Sequence, residues 1–173
     1  ATFFYCTGFA FFTSFSGIYL VNKYAVSAAG LGTYFAAVGI WIVITQTLIL
    51  RFLTKRYNER AILRISIMCV ATAIILLPLM PSLLFQYLLL PLIAIPQGLS
   101  MANMSALISH SVSAQKQGTA LGISGSLSAM AQGVIPALAG VISSFAGVQM
   151  PFIIGGLCMY VSWFVLFKRR SMK

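Results

Sequence analysis

Acid is nearly absent from this chain: Glu59 is the only Asp or Glu in 173 residues, against eleven Lys and Arg. Paired carboxylates, the usual apparatus of general acid–base hydrolysis, therefore cannot form. Charge of either sign is scarce, at 7% of residues where a soluble domain carries about 25%. A surface that poor in charge cannot be solvated by water, so lipid must be the solvent for most of it. Histidine occurs once, at His110, with no acid or cysteine near it in sequence, and reads as a solvated or capping group. The three cysteines, Cys6, Cys69 and Cys158, sit in apolar stretches without CxxC or His/Cys ligand spacing. They read as small buried hydrophobes. No phosphate-binding loop or nucleophile motif is present. These absences argue against an enzyme and a nucleotide-driven pump, and nothing calls for a cofactor or a metal.

What is there is hydrophobic: 60% of the residues. A spanning helix needs about 20 apolar residues, and an ionised side chain at its centre costs roughly 2.5–3.5 kcal/mol. Long stretches free of charge therefore locate the spans. Residues 65–115 and 117–167 are two such stretches, each long enough for two helices and a turn. The first breaks at Pro78, Pro81 and Ser82, and the second at Ser143, Ser144 and Gly147 before Pro151. The pattern predicts one six-helix domain, with helices at about residues 2–21, 31–53, 61–80, 83–108, 118–142 and 151–167. Barrel-type alternation and a surface-lying amphipathic helix are both absent. The chain starts at Ala1 directly in an apolar run with no basic leader, so it reads as a fragment and not as a secretory signal.

The basic residues fix the expected topology. Arg51, Lys55, Arg56, Arg60 and Arg64 lie in the loop region that joins the second and third spans, Lys116 between the fourth and fifth, and Lys168, Arg169, Arg170 and Lys173 in the tail. With six spans all of these share one side, and Lys23 alone occupies the other. Scattered short runs of this kind flank membranes and do not make one patch for nucleic acid. The positive-inside rule makes the basic side cytoplasmic, with both termini there, in a cell (inner or plasma) membrane.

Small and polar residues mark the candidate functional positions. On the fifth span Gly118, Gly122 and Ser126 recur every four residues, as do Gly125, Ala129, Gly133 and Ala137. That spacing lets helix backbones approach closely in lipid, either as a fixed seam or as one that slides. Gly32, Gly39 and Gln46 share a face of the second span, and Gly125, Ser128, Gln132 and Pro136 a face of the fifth. Pro91 and Pro96 interrupt the fourth span, beside Gln97 and Asn103. Amides facing lipid would be unsatisfied, so they should point inward, toward substrate or toward neighbouring helices. Phe11, Phe12, Phe15 and Tyr19 form an aromatic stripe on the first span, open to the same two readings.

Three stretches resemble the second half of major facilitator superfamily transporters, in particular drug-efflux antiporters of the tetracycline-efflux type. The first runs from Gly32-Thr-Tyr-Phe-Ala-Ala-Val-Gly39 through Gln46 into the loop Arg51-Phe-Leu-Thr-Lys-Arg56-Tyr-Asn-Glu59-Arg60. It is similar to the eighth helix and the degenerate second copy of the family's loop signature, with Lys55 in place of Asp and Asn58 in place of Gly. The second is Gly98-Leu-Ser-Met-Ala-Asn-Met-Ser-Ala-Leu-Ile-Ser-His, like the end of the tenth helix. The third, Gln117-Gly118-Thr-Ala-Leu-Gly122-Ile-Ser-Gly125-Ser-Leu-Ser, continuing to Gly133-Val-Ile-Pro136-Ala-Leu-Ala-Gly140, resembles the eleventh.

The resemblance implies an all-α membrane bundle of two inverted three-helix repeats, corresponding to helices seven to twelve. Spans one, two, four and five would line a central cavity, with three and six toward lipid. It implies secondary transport by alternating access, with efflux of a drug-like or metabolite substrate. The partners would be the small-molecule substrate, an N-terminal six-helix half and the bilayer. Phe12, Phe15, Tyr19, Gln46, Gln97, Asn103, Ser128 and Gln132 become the expected substrate-facing set. Gly39, Arg56, Arg60, Gly118, Gly122, Gly125, Gly133 and Pro136 become the expected packing and gating set. No Asp or Glu lies within any span and Glu59 falls in a cytoplasmic loop, so proton coupling through a membrane acid would belong to the other half. Two other readings remain: a half-size carrier that dimerises to build its cavity, and a non-transporting membrane subunit or channel-like scaffold.

Overall fold

The computed structural model describes residues 1–168. Among them, six helices are long and apolar enough to cross a membrane. They are α1 (Thr2–Tyr24), α2 (Ala28–Arg56), α3 (Glu59–Leu76, tightening into a 3-10 turn at Leu77–Leu79), α4 (Leu83–His110), α5 (Gln117–Ala146, after a 3-10 turn at Ala114–Lys116) and α6 (Met150–Lys168). The tail charges Arg169, Arg170 and Lys173 lie outside the described residues.

Local chemistry sets the ends. Ala25 in the left-handed region (φ 51°) stops α1, and Ser27 then caps α2 by accepting from the Gly30 N–H at 3.2 Å. Asn58 caps α3, its Oδ1 accepting from the Arg60 N–H at 3.1 Å. Gly147, at φ 89°, ends α5 where a side chain would be strained. Two expected loops are helical instead. Arg51, Lys55 and Arg56 ride on the last turns of α2, so the basic loop shrinks to Tyr57 and Asn58. The serine break at 143–144 is absorbed into α5, where the Ser144 hydroxyl bonds back to the Val141 carbonyl at 2.8 Å.

The heaviest packing couples α1 with α5 and α6, α4 with α3 and α2, and α3 with α6. Exchanging α1–α3 for α4–α6 leaves this pattern unchanged, as two inverted three-helix repeats require. The core lies among α1, α3, α4 and α6, filled by Phe11, Phe12, Phe15, Ile67, Val70, Ile74, Ile93, Phe152 and Met159. Its closest approaches are glycine contacts. A Cβ on Gly155 would sit 2.8 Å from the Gly8 carbonyl oxygen and 2.9 Å from Phe11 Cβ, and one on Gly156 would sit 3.0 Å from the Ala71 carbonyl oxygen. α1 meets α6, and α6 meets α3, through bare backbone.

The second helix of each repeat is attached by a narrow ridge. α5 buries Ala131, Ile135 and Ala139, spaced by four. α2 buries Tyr34, against Leu20 and Leu90, and Thr45. The small-residue seam expected to press on a neighbour does not do so within this chain. A Cβ at Gly39, Gly118, Gly122, Gly125 or Gly133 would meet nothing within 4 Å, and Pro136 is exposed. The seam occupies the side of α5 away from its ridge.

Candidate functional site

The expected substrate-facing residues separate into two groups. Phe12, Phe15 and Tyr19 are core: 3%, 6% and 1% exposed. Their rings fill the space α1 shares with α5 and α6, with Tyr19 edge-on to Phe152 at 5.1 Å between centroids. They cannot offer a surface to a ligand in this arrangement, and the stripe is helix packing. Gln97 and Asn103 are buried as well. Gln97 Oε1 accepts from the Tyr5 hydroxyl, tying α4 to α1, and Asn103 donates to the Leu99 carbonyl one turn back at 2.8 Å. Both amides are consumed inside the bundle.

Gln46, Ser128 and Gln132 form the second group, open on the helices with ridge attachments. Gln132 is exposed and donates to Ser128 Oγ at 3.1 Å. Gln46 is exposed within a π-helical turn at Thr45–Ile49. Threonines accompany that irregularity: Thr45 donates to the Trp41 carbonyl at 2.7 Å and Thr47 to the Val43 carbonyl at 2.8 Å. Such turns swell the helix and recur at functional positions. The turn is seated on Gly98 of α4, where a Cβ would lie 3.1 Å from Thr45 Cγ2.

Between α1 and α2 an open cleft of about 490 Å³ is lined by Thr13, Ser14, Gly17, Asn22, Leu31 and Phe35, with Ile18 and Val21. It carries hydroxyl and amide groups and no charge. Thr13 and Gly17 stand one turn apart on the side of α1 opposite Phe15. The sequence signal was the complement of the aromatic stripe: once 11, 12, 15 and 19 are core, 13 and 17 must face away. A larger cavity, about 790 Å³, opens at the basic end among α1, α3, α4 and α6 and includes Arg60. Arg56 is exposed and lies over the Phe52 ring at 5.0 Å.

At the opposite end Lys23 is a clasp. Its ammonium donates at 2.8 Å to the Tyr19 hydroxyl and to the Pro78 and Met80 carbonyls, and lies over the Tyr19 and Tyr24 rings. Tyr24 donates to Met80 at 2.6 Å, and Gln86 donates to Tyr24 at 3.1 Å. Among the described residues Lys23 is the one Lys or Arg at that end, and it fastens α1 to the α3–α4 turn. His110, expected without an acid, ends α4 with its Nε2 3.8 Å from Glu59. Glu59 in turn opens α3 and is not a loop residue. Among the described residues, no three His, Cys, Asp or Glu side chains converge as a metal site would need.

An all-helical bundle with exchange-symmetric packing and uncharged polar faces on its flanking helices is a carrier-like arrangement, and the family comparison agrees with it. The family profile described as Major Facilitator Superfamily matches residues 1–173. The chain belongs to the Major Facilitator Superfamily. It is a multi-pass membrane protein of a superfamily made of transporters that carry small molecules. No curated protein and no solved structure matches the chain.

Proposed function

We propose that this major facilitator chain is the C-terminal half, helices seven to twelve, of a secondary carrier. It exports a small amphipathic molecule, drug-like or a metabolite, by antiport and alternating access across the cell membrane. One observation carries the reading: the amides and glycines of α2 and α5 stand open, with Gln46, Gln132 and the seam from Gly118 to Gly133 meeting no helix of this chain. Lipid would leave those amides unsatisfied, and the seam is shaped for close helix contact. A second six-helix half laid across α2 and α5 satisfies both, and encloses the α1–α2 cleft as one wall of a central cavity.

In that arrangement the wall offers Thr13, Ser14, Asn22 and Gln46 as hydrogen-bonding groups among Leu31, Phe35 and Ile18. Such a lining suits a ligand held mainly by apolar contact and oriented by a few polar ones. The rocking of one half against the other exposes the wall to each side in turn. Driving acids would lie in the partner half, because Glu59 stands at the end of α3 and not at mid-span.

Cysteine accessibility in the full-length carrier tests this. On a background with Cys6, Cys69 and Cys158 replaced by alanine, Thr13→Cys, Gln46→Cys and Gln132→Cys should react with a water-soluble maleimide and be protected by transported substrate. Leu84→Cys, on an exposed apolar face of α4, should stay unreactive. Inert cysteines at 13, 46 and 132, with flux intact, would place those faces in lipid and end the proposal.

A further inference from the structure

The cavity at the basic end is separate from the α1–α2 cleft, and its chemistry differs. Asn58, Arg60, Arg64 and Ser111 line it together with Ala1, Thr2 and Ala61 at the helix ends and the apolar Leu63, Met104, Leu107, Ile108, Val165 and Leu166. At about 790 Å³ it lies within the range of roughly 300–1,000 Å³ typical of ligand pockets. Asn58 and Arg60 stand at the start of α3 and Ser111 just past the end of α4, while Met104 and Leu107 lie one to two turns back along α4.

Arg60 and Arg64 are one turn apart on α3, so their side chains share a face, and like charges at that spacing repel. Among the described residues no carboxylate is paired with either of them. Glu59, the single acid, faces His110 at 3.8 Å. Arg64 spends its Nη2 on the Leu166 and Phe167 carbonyls at 3.2 and 3.4 Å and lies over the Phe167 ring. Those bonds fix the guanidinium at the end of α6 while leaving Nε and Nη1 without a partner among the described residues. The Arg60 side chain has no hydrogen bond or ion pair among the described residues. The α3 N-terminus adds a partial positive charge beside them. One guanidinium held at the end of α6 and a second, unpaired, one turn away beside an apolar lining are matched by a phosphate with a hydrocarbon tail.

The geometry points to a binding site for an anionic phospholipid of the leaflet on the basic side. Its phosphate sits between Arg60 and Arg64, and an acyl chain lies along Leu63, Met104 and Leu107. Basic pockets between helices on that side of a membrane take such headgroups. The site is distinct from the substrate cavity proposed above. Its occupant would brace α3 against α4 and α6 by neutralising the arginine pair.

Thermal melting of the full-length protein in neutral detergent tests this, because it reads binding and not flux. Phosphatidylglycerol should raise the melting midpoint saturably, where phosphatidylcholine or inorganic phosphate does not. Arg60→Gln should raise the half-saturating phosphatidylglycerol concentration about fivefold. Leu107→Trp, which fills the apolar lining and keeps both charges, should do the same. Lys55→Gln, exposed on α2 and outside the cavity, should leave it unchanged. The site is refuted if phosphatidylglycerol gives no specific shift, if the shift survives both cavity variants, or if Lys55→Gln weakens it equally. An equal shift with inorganic phosphate alone would refute the membrane lipid as its source.

Discussion

At the residue scale, polar side chains in this molecule divide by whether the bundle uses them. Gln97, Asn103 and Gln86 have partners in the interior, whereas Gln46 and Gln132 stand outside it. Sequence periodicity put all but Gln86 of these amides in one inward-facing class, because it reports the face of a helix and not what lies opposite. The aromatic stripe, open to both readings in the sequence, is packing for the same reason: a helix with neighbours on most sides buries its largest rings. Lys23 is the clearest single test. Removing its ammonium leaves the Tyr19 and Tyr24 hydroxyls still bonded to Pro78 and Met80, so Lys23→Met should cost only about 1 kcal/mol and lower the melting temperature by a few degrees. Lys23→Glu should cost more, since a carboxylate would face two carbonyl oxygens. Unchanged melting in both would show that the clasp contributes nothing to stability.

At the element scale, the helices themselves were legible because charge is so rare. Each charge-free stretch had to be membrane, and prolines with glycine marked where it turned. The ends were less legible: a cap such as Ser27 or a helix carrying Arg51 to Arg56 past the apolar run leaves no hydropathy signal. Within the described residues the tight glycines fall elsewhere. Regular four-residue spacing drew attention to α5, while the close contacts fall at Gly8, Gly155 and Gly156, which show no such repeat. Gly155→Ala and Gly156→Ala should each destabilise the bundle by about 1–3 kcal/mol, seen as lower melting temperature and membrane expression. Gly122→Ala in the isolated six-helix chain should be neutral or stabilising by up to about 1 kcal/mol, because nothing opposes the new methyl and alanine favours helix. Loss of flux from Gly122→Leu in the full-length carrier, with the isolated chain unaffected, would locate the contact in the partner half. Gly98→Leu should free α2, because Thr45 rests there, and proteolysis within Tyr57–Asn58 should quicken.

At the scale of the whole molecule, the exchange-symmetric packing, with its weakly attached second helices, could not be read from composition. It depends on which helix lies beside which, and hydropathy is blind to that. The side of the membrane, by contrast, rests wholly on sequence. Asn58→Cys should resist an impermeant maleimide in intact cells and react in inverted vesicles, while Ser27→Cys should do the reverse. The opposite pattern would invert the topology. The order of packing also bears on synthesis. Within this domain α1 is made before the other five helices, yet its principal partners are α5 and α6, the last two made. α3 and α2 wait for α4, the first partner either can hold firmly. For most of its synthesis α1 therefore sits in lipid or against an insertion factor with Tyr5, Ser16 and Tyr19 uncovered. A chain stalled or cut after residue 80 would hold only the first three helices of this domain, which make few contacts with one another. Quality-control proteases should find such a truncated product far sooner than the completed six-helix domain.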